Sequence, residues 1–206
     1  MKCCAGRKRW IAALVVAFSV AGCSRSVHWE EEVPLNTGET IWVKRSGTYT
    51  YRSASGNPLA YGYQPDWVST TQFNYRGKDY SFTNSAGLIL LAIAPDGAPT
   101  LLASAANHDW QWDNNYFCVT PFYVQFRPDA SGKVWTWGER IETWPYGLPT
   151  NLLFGLPPLA ASGTKFSTAE RAQMNASIAG SFRHYQNIQA SHSSSNCPGK
   201  DSGNRN

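Results

Sequence analysis

The stretch from Leu88 to Ala105 constrains the fold more than any other. Leu88 to Ala94 (LILLAIA) and Pro99 to Ala105 (PTLLASA) flank a Pro95-Asp96-Gly97 turn, and two such runs about a turn form a β-hairpin. The first arm is almost wholly apolar, so both of its faces are expected to be covered.

Further hairpins surround it. His28 to Val33 (HWEEEV) and Glu39 to Arg45 (ETIWVKR) flank Leu35-Asn36-Thr37-Gly38, where asparagine and glycine supply turn chemistry. Gly47 to Arg52 (GTYTYR) is rich in β-branched and aromatic residues, and Tyr80 to Thr83 is a short candidate strand. Phe122 to Arg127 and Lys133 to Trp144 are joined by Pro128-Asp129-Ala130-Ser131-Gly132. In that last arm Trp135, Trp137, Glu139 and Ile141 alternate with Val134, Thr136, Gly138 and Arg140, a period of two that a helix would not give.

One helix is expected. Ser167-Thr168-Ala169-Glu170 is a capping box, in which hydroxyl and carboxylate satisfy orphan amides reciprocally. The helix could run to about Gln189 across Gly180, with Ala172, Ile178, Phe182 and Tyr185 as its buried stripe. Trp144 to Gly163 (WPYGLPTNLLFGLPPLAASG) is too apolar for a solvated linker and reads as a loop packed across the core, while residues 190–206 are small and polar. Antiparallel strands followed by one helix make a mainly-β or α+β single domain over residues 27–189. No internal repeat of fixed period is present.

The N-terminus carries an address. Lys2, Arg7, Lys8 and Arg9 precede the uncharged run Trp10 to Val20, which Ala21-Gly22-Cys23 follows. Spanning a bilayer takes about 20 apolar residues; this run fits the shorter apolar region of a signal peptide. Val20-Ala21-Gly22-Cys23 resembles the lipobox of bacterial lipoproteins. That resemblance implies removal of residues 1–22 and attachment of diacylglycerol and a further acyl chain, such as palmitate, to Cys23. Several chains, at about 0.8 kcal/mol per buried CH₂, hold a protein on a membrane where one would be marginal. Ser24, where aspartate would favour the inner membrane, points by analogy to the outer membrane facing the periplasm. Ser24-Arg25-Ser26 would then be a short tether, keeping the domain within roughly 10–15 Å of the membrane surface.

Cleavage would alter the charge. The chain has 18 Lys+Arg against 14 Asp+Glu, and without the four basic residues of the leader it counts 14 of each. A neutral chain lacks the electrostatic footprint of a nucleic-acid partner. With Cys3 and Cys4 removed and Cys23 lipidated, Cys118 and Cys197 remain. In an oxidising compartment they read most simply as one disulfide; two free thiols are the alternative.

His28-Trp29-Glu30-Glu31-Glu32-Val33 with Gly38, Ile41, Val43 and Arg45, Leu88-Ile89-Leu90-Leu91-Ala92-Ile93, and Tyr146-Gly147-Leu148-Pro149-Thr150-Asn151 together resemble an uncharacterised group of short proteobacterial envelope proteins. The likeness implies an intact domain over most of the chain and no particular chemistry.

No catalytic motif stands out. Glu30 and Glu32 would share one face of a strand and Glu31 the other, all three reading as a solvated or edge-protecting face. Glu139 and Glu142 point to opposite sides, poor geometry for a glycosidase pair. His108, Asp109, Asp113 and Cys118 fail the EF-hand pattern, since Asn114 and Thr120 stand where glycine and glutamate belong. There is no G-x-S-x-G nucleophile elbow, and neither a metal nor a cofactor is implied.

The compositional oddity is aromatic. Of nine tryptophans, Trp110 and Trp112, and Trp135 and Trp137, form i, i+2 pairs that on strands would each present two rings on one face. Such pairs can be core, can stack on sugar rings, or can contact another envelope protein. The sequence therefore favours a membrane-anchored, non-catalytic structural or binding module, with a protein or glycan partner in the envelope. A periplasmic hydrolase with a dispersed acid/base site is the alternative. A thiol count on the denatured, unreduced chain tests the disulfide: the bridge leaves Cys118 and Cys197 unreactive, whereas two labelled thiols there remove it.

Overall fold

The computed structural model describes residues 24–54, 57–104, 123–138, 141–179 and 186–190. Two sheets dominate. The first is formed by β1 (Ser24–Pro34), β2 (Thr40–Ala54), β3 (Asn57–Tyr75) and β4 (Lys78–Asn84), ordered β4-β3-β2-β1 and closed at the β1 side by the two-residue β9 (Lys165–Phe166). The second contains β5 (Gly87–Ile93), β6 (Pro99–Ser104), β7 (Tyr123–Pro128) and β8 (Trp135–Gly138) in sequence order. All neighbours are antiparallel except β1 and β9. Helix α1 (Thr168–Ala179) is the one α-helix among the described residues, so the architecture is mainly β with a late helix, as the sequence indicates.

The expected hairpins form, but the arm expected over Lys133 to Trp144 is strand only from Trp135 to Gly138, and Ile141 to Trp144 are not strand. Around Leu35 to Gly38 the register runs Pro34 opposite Thr40 to Ser24 opposite Thr50. Ser24-Arg25-Ser26, read from sequence as a tether, is thus strand, paired residue by residue with β2. Less legible in the sequence is β3, whose Pro58, Gly62 and Pro65 weigh against a strand. Pro65 lies at a register shift between Gly47 and Tyr49 of β2, Pro58 at a second between Ser53 and Ala54, and Gly62 stays in register opposite Arg52. β3 turns into β4 through Arg76 and Gly77, both at positive φ (51° and 78°), which suits the right-handed twist of a tight hairpin.

The inner faces of the two sheets meet in one core. Val33, Val43, Phe73, Tyr80 and Phe82 from the first pack against Leu88, Leu91, Ile93, Leu101, Val124 and Phe126 from the second. β5 is buried along almost its whole length, as its apolar sequence requires. A bulge makes both Ile89 and Leu90 face outward, since the register skips from Leu88–Ala103 to Leu90–Leu102. Ile89, Leu90 and Ala92 then form a second core with Tyr123, Ile141 and Ile188, against which Trp144, Tyr146, Leu148 and Phe154 pack.

Those last residues belong to the Pro/Gly-rich passage, which crosses the molecule as a buried strap. Leu152 and Leu153 are completely buried. The strap passes so close to β2 that a Cβ on Gly47 would lie 2.5 Å from Leu156 Cδ2.

β5 is an edge strand, yet its edge is not bare. Leu91 N–H donates to Asn151 Oδ1 (2.8 Å), and Asn151 Nδ2 donates to Leu91 O (2.7 Å) and to Pro34 O (2.8 Å). Two residues on, Ile93 N–H donates to Asn36 Oδ1 (2.7 Å) and Asn36 Nδ2 to Ile93 O (2.8 Å). Two side-chain amides thus stand in for a neighbouring strand and tie the second sheet to the first. Asn151→Ala would strand several of these buried groups, each costing about 1–3 kcal/mol. We expect it to lower stability by roughly 2–4 kcal/mol in urea unfolding; a loss below the scatter of surface substitutions would refute this role for the amide.

Candidate functional site

Strand alternation places Val27, Trp29, Glu31 and Val33 on the inner face of β1 and His28, Glu30 and Glu32 on the outer. Glu31 is therefore not part of a solvated face. It is 0 % exposed, and the signal that could have revealed this is its phase with Val27, Trp29 and Val33. Only Glu30 behaves as the sequence suggested, forming an ion pair with Lys165 at 2.8 Å that draws its pKa below the ordinary carboxylate value.

The buried carboxylate is fully engaged. Glu31 Oε1 accepts from Arg45 Nη1 (3.0 Å), and Oε2 accepts from Leu153 N–H (2.6 Å). Arg45 Nη1 also donates to Leu153 O (2.6 Å), and its guanidinium lies 5.1 Å from the centre of the Trp29 ring. One ion pair on adjacent strands thus grips both polar groups of a strap residue.

Next to this pair lies α1. Ser167 and Glu170 form the expected capping box, with Ser167 N–H donating to Glu170 Oε2 (2.8 Å). Glu32 Oε2 takes the next amide, accepting from Thr168 N–H and Oγ1, both at 3.1 Å. The helix faces inward with Arg171, which is buried, and with Met174 and Asn175, which are half-buried. The expected stripe differs: Ala172 is exposed, while the side chains of Ile178, Phe182 and Tyr185 fall outside the described residues. Nor does the helix reach Gln189. Residues 187–190 are not helical, and Asn187 bridges to Pro149 beside the strap.

Between α1, the strap and the β1–β2 turn is a cleft of about 520 Å³. Pro34, Leu35, Leu90, Leu148, Pro149, Ala172 and Ala176 give it apolar walls, and Arg171 lines it. Its other amides are occupied: Asn36 and Asn151 hold β5, and Asn175 bonds Phe154 N–H and Leu152 O, both at 2.8 Å. Arg171 is 3 % exposed, and among the described residues its Nε has no hydrogen-bond partner. Desolvation lowers its pKa, against the pull of Glu31 and Glu32.

The other candidates from sequence are scattered. Cys23, Trp110, Trp112, Cys118, Cys197, His108, Asp109, Asp113 and Glu139 lie outside the described residues. Trp135 is half-buried; its Nε1 donates to Ser81 O (2.8 Å) and its ring meets Phe82 and Tyr80 edge-on. Trp137, its neighbour on that face, is 37 % exposed. Glu142 accepts from Trp144 Nε1 and from Gln125 Nε2, which hold its pKa below the ordinary carboxylate value. Among the described residues no group of three His, Cys, Asp or Glu side chains is arranged to hold a metal ion.

Removing the charge of Glu31 while leaving Arg45 buried should be costly. Glu31→Gln is expected to destabilise by about 3–5 kcal/mol, whereas Glu30→Gln should leave the denaturant midpoint essentially unchanged. Equal midpoints for the two variants would contradict the buried-grip geometry. No family model, no curated protein and no solved structure matches the chain.

Proposed function

We propose that the chain is a lipid-anchored, non-catalytic module of the bacterial envelope, acylated at Cys23 and held with one end against its membrane. The observation that carries this reading is an uncovered aromatic ribbon beside Ser24, the residue that follows that cysteine in sequence.

β1 is in register with β2 from its first residue, Ser24 opposite Thr50. Beyond that point β2 and β3 continue alone as a two-stranded ribbon, from Tyr51–Tyr63 to Ala54–Asn57. The inner face of the first sheet runs on along it with nothing described above it. Tyr51 and Tyr61 are at least half exposed and Leu59 is 90 % exposed. Tyr51 packs against Tyr61 and Tyr63 at centroid distances of 6.2 and 5.4 Å, and the Arg25 guanidinium sits 4.6 Å over Tyr63.

Exposed tyrosine and leucine beside arginine is the composition that favours a membrane interface, where rings sit at headgroup depth and cations meet lipid phosphate. Its place next to the Ser24–Thr50 pair, where β1 begins, supports anchoring from this end. The β1–β2 turn is then directed away from the bilayer, since the eleven residues from Ser24 to Pro34 span roughly 30 Å of strand.

Metabolic labelling with an alkyne fatty acid tests the reading. Wild type should take up label and sediment with membranes; Cys23→Ser should not be labelled and should shift to the soluble fraction. Unlabelled wild type, or equal labelling of the variant, would overturn it.

A further inference from the structure

We infer that the cleft between α1 and the strap is a binding site for a small apolar monocarboxylate, with the Arg171 guanidinium as the anchor for the acid. This site does not rest on lipid attachment and would exist in an unanchored chain.

Three observations converge on it. The cleft of about 520 Å³ falls within the size range of pockets that enclose small ligands. Its apolar walls come from Leu35 in the β1–β2 turn, Leu90 on β5, Leu148 and Pro149 on the strap, and Ala172 and Ala176 on the helix. Among its lining residues is a guanidinium largely taken out of water, with Arg171 3 % exposed and Nε unpartnered among the described residues.

The neighbouring groups do not claim that cation by hydrogen bonding. Glu31 is held by Arg45 and Leu153 N–H, and Glu32 Oε2 by Thr168. Both act on Arg171 through space, which keeps a charge tolerable there without using its planar fork of donors. Trp29 Nε1, Arg45 Nε, Thr71 Oγ1 and Tyr75 Oη are likewise buried without partners among the described residues, but of the five only Arg171 lines this cleft. A carboxylate is the group that pairs with a guanidinium fork in two parallel bonds. A neutral acceptor would satisfy one donor and leave the rest. Asn36, Asn151 and Asn175 serve the fold, and the Thr150 and Thr168 hydroxyls donate to Gln186 O and Glu32, so the remainder of the ligand meets mainly hydrocarbon and should itself be apolar.

Calorimetric titration of the full chain, kept soluble in amphipol, with octanoate, 1-octanol and octylamine tests this. Ala176→Trp fills the cleft from an exposed helix position without touching the buried charges, so it supplies the background for partition into the amphipol. Octanoate is expected to bind wild type above that background, at least tenfold tighter than octanol and with octylamine weaker still. Arg171→Leu should abolish the preference for acid over alcohol, and Arg171→Lys should keep part of it. Should Arg171→Leu fail to fold, Ala176→Trp and the ligand series still decide. Equal affinity for octanoate and octanol, a preference that survives in Arg171→Leu, or no heat beyond the Ala176→Trp background would each overturn the assignment.

Discussion

The structure depends on how a buried loop disposes of its backbone. A strap without regular secondary structure cannot satisfy its own N–H and C=O groups, and burying them unpaired is costly. Here the core supplies the partners one by one. Ile89 O, freed by the β5 bulge, accepts from Asn151 N–H and Leu152 N–H at 3.1 and 3.2 Å. Leu152 O and Phe154 N–H go to Asn175, both polar groups of Leu153 go to the Glu31–Arg45 pair, and Tyr49 Oη donates to Pro157 O at 3.0 Å. Farther back, Leu148 O accepts from Ile188 N–H and Thr150 N–H donates to Gln186 O, at 2.9 and 3.0 Å.

This constraint explains buried polar residues that would otherwise look like a reaction centre. A glutamate, two arginines and two asparagines lie in or beside the core, an arrangement that invites a catalytic reading. Glu31, Arg45, Asn151 and Asn175 each have both a partner and a task in holding the strap. Arg45 Nε is, like Arg171 Nε, buried without a partner among the described residues, but Arg45 holds the strap through Nη1. Arg171 differs in lining the cleft while Glu31 and Glu32 act on it only through space. The distinction between structural and ligand-directed polar groups comes from asking where each donor goes.

The two ends of β1 have different surroundings. At Ser24 the sheet continues as an exposed tyrosine ribbon. At Pro34 it meets Asn36, the strap and the cleft, some ten residues away along one strand. If the ribbon end rests on a bilayer, the cleft opens toward the aqueous side. The second sheet is fastened to the first by Asn36 and Asn151 at one edge. At the other, Ser81 N–H donates to Gly132 O (3.1 Å) and Lys78 Nζ to Ala130 O (2.7 Å). Gly132 must be glycine there, with φ of 76° and a Cβ position only 2.8 Å from Asp79 O.

Local chemistry was legible in the sequence. The Leu35–Gly38 and Pro95–Gly97 turns, the capping box at Ser167 and the double-sided burial of β5 follow from backbone preference and hydrophobic period, which act over a few residues. The length of α1 was overread, because a capping box fixes where a helix starts and says little about where it stops. β3 is less legible because proline and glycine weigh against a strand until a partner strand pairs with them, the prolines at register shifts. Alternation alone put Glu31 in phase with Trp29 and Val33, but its burial depended on Arg45 from the next strand and Leu153 from 122 residues away. The cleft was invisible for the same reason. Its walls come from separate segments, and only the folded chain brings an arginine on a helix into a pocket made with the strap, the β1–β2 turn and β5. The sequence by itself determined which segments could be strand, turn or helix; tertiary structure decided which polar groups would be buried, because desolvation and pairing depend on neighbours that sequence distance conceals.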